Sequence, residues 1–331
     1  MLKLGVIGLG PVWESYRTAM TQLRHPLQVT AVFDPRPQIA AQTAKDLRAT
    51  VCLGIKALAD RPNVQAVLLM DPGWVGAAAI DLLAQCRKPV FIAPWLPCDL
   101  DSAEHWYSAT EQHGVTLMPA MWRRFLPVTI RLKELLATEL GELHDIHLPL
   151  ELDPSSRAID SAEAVIGWFD FVWYLLRREP RFDSATSQPD EWSIQFPPRQ
   201  PHPVEGASSA ATRSCHWRIQ WKPSHSPDGL RQRLADGAMP AAGVCNRLDF
   251  ENSPLPRVHL VCERGTATVL DRTTLQWQRH GGELETEQLT SDRPERLIML
   301  DHFARRAVGG LIPVADFNDV ARVLRLIRAA K

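Results

Sequence analysis

The chain reads as an α/β protein: an N-terminal doubly wound parallel sheet, then an α+β domain with a mainly antiparallel sheet. Three observations predict this. Leu2-Lys3-Leu4-Gly5-Val6-Ile7-Gly8-Leu9-Gly10 runs from a short apolar stretch straight into glycines, and a helix-compatible segment follows at once. Short apolar runs then alternate with segments of helical spacing as far as residue 121, the pattern of buried parallel strands joined by crossover helices. Beyond that point an aromatic-rich helix and several runs of period two take over, which is the pattern of helices packed on an antiparallel sheet. The expected domains are therefore 1–121 and 122–331, with the last helix returning to the first domain.

Each element follows from its residues. Gly8 allows a tight turn after the first strand, and Gly10 lets a pyrophosphate approach the backbone. Pro11 suits the first helical position, where its missing N–H would be unpaired anyway. Trp13 stands where a G-x-G-x-x-G pattern has its third glycine. Glu14–Leu23 is helical in spacing, and Gln28–Phe33 forms a second strand ending at Asp34, 24 residues past Gly10. A carboxylate there accepts hydrogen bonds from adenine-ribose hydroxyls in dinucleotide folds, or else it merely opens the Asp34-Pro35 turn. Arg36 nearby tolerates a 2′-phosphate, so NAD is favoured only modestly over NADP.

Helices over Ala40–Arg48, Val75–Gln85 and Ser102–His113 alternate with strands at Val51-Cys52, Ala66–Met70, Pro89–Ile92 and Val115–Met118. In the second domain Pro127–Leu140 and Glu163–Leu176 read as helices and Asp145–Leu148 as a strand. Further strands are predicted at Trp217–Trp221, Arg247–Phe250, Val258–Cys262, Thr266–Leu270 and Leu275–Gln278, and closing helices at Glu295–Val308 and Asp316–Ala330. The Pro- and Ser-rich stretches Gln188–Arg213 and Lys222–Gly243 read as long loops.

A formal net charge of −1 leaves no basic footprint for nucleic acid or an anionic membrane. No apolar run approaches the ~20 residues that span a bilayer. The six cysteines are scattered without paired spacing, so reduced thiols in a soluble, cytoplasmic protein are expected and a metal site is not.

Taken in order, Gly5-Val-Ile-Gly-Leu-Gly10, Arg61-Pro-Asn-Val-Gln-Ala-Val-Leu-Leu-Met-Asp-Pro72, Lys88-Pro-Val-Phe-Ile-Ala-Pro94, Arg123-Arg-Phe-Leu-Pro127, Glu263-Arg-Gly-Thr-Ala267 and the Ala321–Ala330 helix resemble the Gfo/Idh/MocA oxidoreductases. The resemblance covers nearly the whole chain. It implies a nicotinamide dinucleotide on the first domain, an open-faced second domain, sugar-like substrates, and dimers or tetramers formed through the second sheet. On that basis Gly8, Gly10, Trp13, Asp34, Pro72 and Pro94 are the expected cofactor residues. Trp95, Trp122, Arg124 and Gly167 are the expected substrate pocket.

The chain departs from the family at the chemistry. Ala93-Pro94-Trp95 replaces the usual E-K-P, whose lysine sits by the nicotinamide. Gly167 stands where the helix carries a histidine, and Gly76 replaces a further histidine. Proton transfer is worth ~10²–10⁴-fold in rate, and alanine, glycine and tryptophan cannot perform it. The remaining candidates are Asp170 and Glu163 on one helix. His202 and His216 flank the long loops, and Arg124 stays protonated and so is no base; it is expected as an anion clamp or as a charge binding the two domains. Trp13, Trp74, Trp95 and Trp122 each follow the carboxyl end of a parallel strand, so the indoles either floor a ring-binding crevice or fill it. Two functions result: an NAD(P)-dependent oxidoreductase, or a non-catalytic relative whose Trp-filled crevice serves in ligand or subunit binding, with or without a dinucleotide.

Overall fold

The computed structural model describes residues 1–23, 26–70, 76–93, 98–150, 158–176, 186–188, 191–196, 215–221 and 255–329. Side chains of the 158–176 helix are described from Ile166 onward, and the segments between 186 and 221 by their backbone. Two compact units emerge, and the first contains Met1–Trp122 and Asp292–Arg322.

In the first unit β1 (Leu2–Ile7), β2 (Leu27–Phe33), β3 (Thr50–Val51), β4 (Ala66–Met70), β5 (Val90–Ala93) and β6 (Leu117–Pro119) form a parallel sheet in the order β3-β2-β1-β4-β5-β6. Every residue of β4 and β5 is buried. Strands covered on both faces read as unbroken apolar runs, which is why Ala66–Met70 was so plain in the sequence. The helices are α1 (Pro11–Met20), α2 (Pro37–Leu47), α3 (Ile55–Ala59), α4 (Gly76–Gln85) and α5 (Leu100–His113). The five residues of α3 are too few to show a helical period, and no helix was expected there.

Two later helices complete this core: α8 (Glu295–Ala307) and the first half of α9 (Phe317–Ala329). The Tyr16 ring of α1 lies 5.5 Å from Phe91 of β5, which in turn lies 5.6 Å from Phe303 of α8. Phe317 packs edge-on against Trp106 at 4.9 Å. Ring pairs at these separations add ~0.5–1.5 kcal/mol each beyond the area they bury.

The second unit opens with a 3₁₀ turn begun at Trp122 (Trp122–Phe125), then α6 (Pro127–Leu135), a π-helical turn (Leu136–Leu140), β7 (Leu143–Leu150) and α7 (Ala158–Leu176). There follow β8 (Thr186–Gln188), β9 (Glu191–Phe196), β10 (Cys215–Trp221), β11 (Val258–Cys262), β12 (Gly265–Val269), β13 (Thr274–Arg279) and β14 (Glu285–Gln288). The sheet order is β14-β13-β12-β11-β7-β10-β9-β8, antiparallel except where β10 runs parallel to β7. On β11, Val258, Leu260 and Cys262 are buried while His259 between them is exposed, the alternation of a sheet covered on one face.

Strand β9 corrects the reading of Gln188–Arg213 as a loop. Glu-Trp-Ser-Ile-Gln-Phe alternates with period two and pairs along its length with β10, but the surrounding prolines and serines masked it. The single helix expected over 127–140 is α6 followed by the π turn. The strand expected at Arg247–Phe250 and the loop at Lys222–Gly243 lie outside the described residues. Cys52, Cys86, Cys98 and Cys262 are free thiols.

One cluster ties α6 to the sheet edge. Glu287 of β14 accepts from Arg131 Nε at 2.7 Å, from Arg131 Nη2 at 2.8 Å and from Trp277 Nε1 at 2.8 Å. The Arg131 guanidinium holds the Glu287 carboxyl below its ordinary 4.5 against the opposing pull of burial. A carboxylate with a lowered folded value stabilises above the unfolded value and loses that contribution as pH falls through the folded one. Glu287→Gln is expected to cost about 1–2 kcal/mol near neutrality. In urea melts the gap to the wild type should shrink as pH is taken below 4.5; a gap that stays constant down to acid pH would count against the pair.

Candidate functional site

The glycine turn begins with Gly8 at φ +84°, a left-handed conformation that costs a side chain ~1–2 kcal/mol. Its N–H donates to the Phe33 carbonyl at 3.0 Å, which ties the turn to β2. Gly10 is extended and caps α1 without a side-chain partner, with Pro11 following in the first turn. A helix start with a bare backbone and no capping side chain is the local geometry in which an anion meets N–H groups and the positive end of the helix dipole. It lies at the carboxyl end of β1, where the strand order reverses between β1 and β4, the position at which open α/β sheets bind ligands.

Asp34, at the end of β2, is not held ready for a ribose. Its side chain is wholly buried. Oδ1 accepts from the Arg36 amide at 2.9 Å and from Arg36 Nε at 2.8 Å. Oδ2 accepts from the Leu9 amide at 2.7 Å and from Arg36 Nη2 at 2.9 Å. A carboxylate offers roughly four acceptor positions, and four donors already use them. Burial alone would raise its pKa, but the Arg36 side chain together with the Arg36 and Leu9 amides outweighs it and holds the group below the ordinary 3.8. Asp34 thus locks the glycine turn to the end of β2 and fixes Arg36, whose side chain is 53% exposed.

Trp13 is among the residues expected to meet the cofactor. It is instead fully buried, on the α1 stripe made by Val12, Trp13, Tyr16 and Ala19. That spacing is the core-facing face of a helix, and it was legible once Trp13 was not compared with a glycine. Trp122 is also buried, so neither ring offers a face to a ligand. Pro72, Trp74, Pro94, Trp95 and His202 lie outside the described residues, as do the side chains of Glu163 and His216. Gly76, at the start of α4, has φ +66°.

The second unit brings Arg123, Arg124, Gly167 and Asp170 together. Arg124 Nε donates to Asp170 Oδ2 at 2.9 Å and Nη2 to Oδ1, and both side chains are buried. A carboxylate held in a fork by guanidinium is a poor proton acceptor, so Asp170 does not suit the acid–base role expected of it. Arg124 in turn is committed to this pair and to the Tyr174 ring, 5.2 Å away, rather than standing ready as a clamp.

Arg123 was not singled out as a site residue, yet its guanidinium lies over the Trp168 ring at 5.2 Å and against Gly167. A Cβ at residue 167 would overlap Nη1 and lie 2.7 Å from Cζ. The guanidinium, from the neighbouring 3₁₀ turn, thus fills the space that a side chain at residue 167 would need. A glycine inside an apolar helix signals such a close approach, and that was the clue available in the sequence.

Among the described residues no group of three or more His, Cys, Asp or Glu side chains is placed to hold a metal. No described helix is long and apolar enough to cross a membrane.

A family model described as an oxidoreductase family with an NAD-binding Rossmann fold matches residues 2–121. The chain is 25% identical over 169 residues to the uncharacterized oxidoreductase YrbE of Bacillus subtilis (strain 168), a match covering 50% of this chain and 48% of that protein. The chain thus spans about half the length of that curated relative. Among solved structures it superposes on UDP-N-acetylglucosamine 3-dehydrogenase GnnA of Acidithiobacillus ferrooxidans with a TM-score of 0.67 at 17% identity, covering 98% of this chain and 95% of that one. KijD10, a 3-ketoreductase of Actinomadura kijaniata solved with NADP and TDP-benzene, matches with a TM-score of 0.67 at 15% identity over 99% and 96% of the two chains. At these identities the two structures speak for the fold, which they share over nearly its full length.

Proposed function

We propose that the chain, whose residues 2–121 match the Gfo/Idh/MocA oxidoreductase family model, is an NAD(P)-dependent oxidoreductase of that family acting on a sugar-like or polyol substrate, assembled as a dimer or tetramer through its second sheet. The observation that carries this reading is the glycine turn. Gly8 is left-handed, Gly10 is extended, and α1 opens without a capping side chain at the point where the strand order reverses. Those residues fit a pyrophosphate, and Pro72 and Pro94, after the carboxyl ends of β4 and β5, are assigned to the same cofactor. A bound nicotinamide would give or take the hydride.

The chain's own part is to hold that group and handle the proton. With Asp170 paired to Arg124, the proposed acid–base group is Glu163, one turn before Gly167 on α7. The choice between NAD and NADP is made at the end of β2 by Asp34 and Arg36 together.

A second, non-catalytic ligand-binding role is favoured by one observation, the occupation of the space at Gly167 by Arg123. The test is calorimetric titration of the intact protein with the oxidised and reduced forms of both dinucleotides, followed by a nicotinamide absorbance assay over a panel of sugars and polyols. Micromolar binding with turnover that Glu163→Gln abolishes supports the oxidoreductase. Binding without turnover favours the second role, and flat titrations with all four dinucleotides would remove the first.

A further inference from the structure

We infer that the second unit carries a binding site of its own, for an α-amino acid with an apolar side chain. The site is a cavity of about 760 Å³ between the π-helical turn, the last turn of α7, the start of β7 and the β11–β12 hairpin. Its lining residues all belong to the second unit, so the inference stands apart from the dinucleotide reading of the first. Small-molecule pockets span roughly 300–1,000 Å³, and this one lies within that range.

The floor is apolar. Leu143 and Leu175 are buried, and Leu136 and Leu176 are partly so. Such a floor takes a branched or aromatic side chain, at ~0.8 kcal/mol for each methylene it covers.

The rim carries charge of both signs. Lys133 holds its ammonium 3.8 Å from the centre of the Tyr174 ring and, among the described residues, pairs with no carboxylate. An ammonium has three N–H donors, and a ring face does not use them all. Glu263 and Arg264 follow one another on the hairpin turn. A Cβ built on Gly141 would lie 2.6 Å from Glu263 Oε2 and 3.0 Å from Arg264 Nε, so both heads reach the same point of the wall. Among the described residues neither makes an ion pair there. Glu263 Oε2 accepts from the Glu142 amide at 3.3 Å, and Arg264 Nη2 donates to the Thr138 carbonyl at 3.4 Å.

Glu142 also lines the cavity, so its cations and carboxylates balance. That balance disfavours a simple anion or a simple cation and matches a zwitterion. An α-amino acid brings both complementary charges within one small group: its carboxylate goes to Lys133 and Arg264, its ammonium to Glu263, and its side chain to the leucines. The π-helical turn enters the wall through Leu136 and Ala137. Such turns are rare and occur mostly at functional sites, and the proposed hydride chemistry makes no use of this one.

Calorimetry of the intact protein with L-leucine, L-phenylalanine and glycine tests the site. Isocaproate, which lacks the ammonium, and isoamylamine, which lacks the carboxylate, are titrated beside them. Leucine or phenylalanine is expected to bind saturably, and glycine about tenfold more weakly or worse because it leaves the leucines uncovered. Each truncated analogue should lose about 10–100-fold, the range set by one or two charge-assisted bonds. Lys133→Met removes a charge and keeps an unbranched apolar stem, and Glu263→Gln changes an exposed residue while keeping its shape. Each should weaken the tighter-binding amino acid about tenfold or more and leave the urea midpoint unchanged.

Flat titrations with leucine and phenylalanine up to about 10 mM would overturn the inference. So would an analogue that binds as tightly as its parent amino acid, or an affinity unchanged in either variant. None of these outcomes bears on the dinucleotide titrations.

Discussion

Asp170→Ala is expected to destabilise the protein by about 3–5 kcal/mol, because it leaves a buried guanidinium without the carboxylate whose two oxygens face it. The magnitude comes from the charge that stays behind. A buried pair is worth little against an apolar replacement of the same shape, but half of one is a desolvated ion. Arg124→Met combined with Asp170→Ala should therefore recover most of the loss. Urea melts of the wild type and these two variants measure this directly. The experiment also separates two roles for Asp170. A general base replaced by asparagine would lose turnover and keep its melting midpoint, whereas the Arg124 fork requires Asp170→Asn to lower the midpoint as well. An Asp170→Ala variant as stable as the wild type would break the pairing.

Gly167→Ala is expected to destabilise by about 1–3 kcal/mol, where the same change inside an ordinary helix gains ~1 kcal/mol. The sign turns on Arg123. Its guanidinium occupies the volume a Cβ needs, and although the side chain is long enough to swing aside, it must leave the Trp168 face and a site where it is nine-tenths buried. In an Arg123→Ala background the obstacle is gone, and Gly167→Ala should become neutral or stabilising. The coupling between the two changes, read from a double-mutant cycle in urea, is expected at about 1–3 kcal/mol. Strict additivity would mean that the guanidinium and the helix do not meet. Placing a histidine at residue 167 faces the same obstacle and calls for the same companion change.

How much of this was legible in the sequence depends on how far each feature reaches along the chain. The parallel sheet was plain because burial on both faces makes Ala66–Met70 and its neighbours continuous apolar runs, and helices of ten residues or more show their period. Elements too short for a period were missed, α3 and the edge strands β8 and β14 among them, and β9 was hidden by the composition of its flanks. The site was less legible. That a glycine turn would follow β1 is local, and Gly8 was read correctly. Whether Asp34 faces a ribose or a neighbouring arginine depends on two side chains two residues apart choosing one another, a competition that spacing alone does not decide. Trp13 was misread because its place in a glycine pattern was weighed above its place on the α1 stripe, and burial followed the stripe. The meeting of Arg123 and Gly167 joins residues 44 apart. Only the glycine, an unfavourable choice inside a helix, left a trace of it.

The single parallel pairing in the second sheet has a consequence for how that sheet comes together. β11 to β14 form a meander of neighbours in sequence, and β8 to β10 form another, so each half can assemble from short-range contacts. Among the described residues both halves are joined only through β7, which pairs with β10 on one side and β11 on the other, each across a long intervening segment that must close first. That strand is therefore expected to be the last seam of the sheet to form, and damage to it is expected to leave two ribbons with nothing to zip them together.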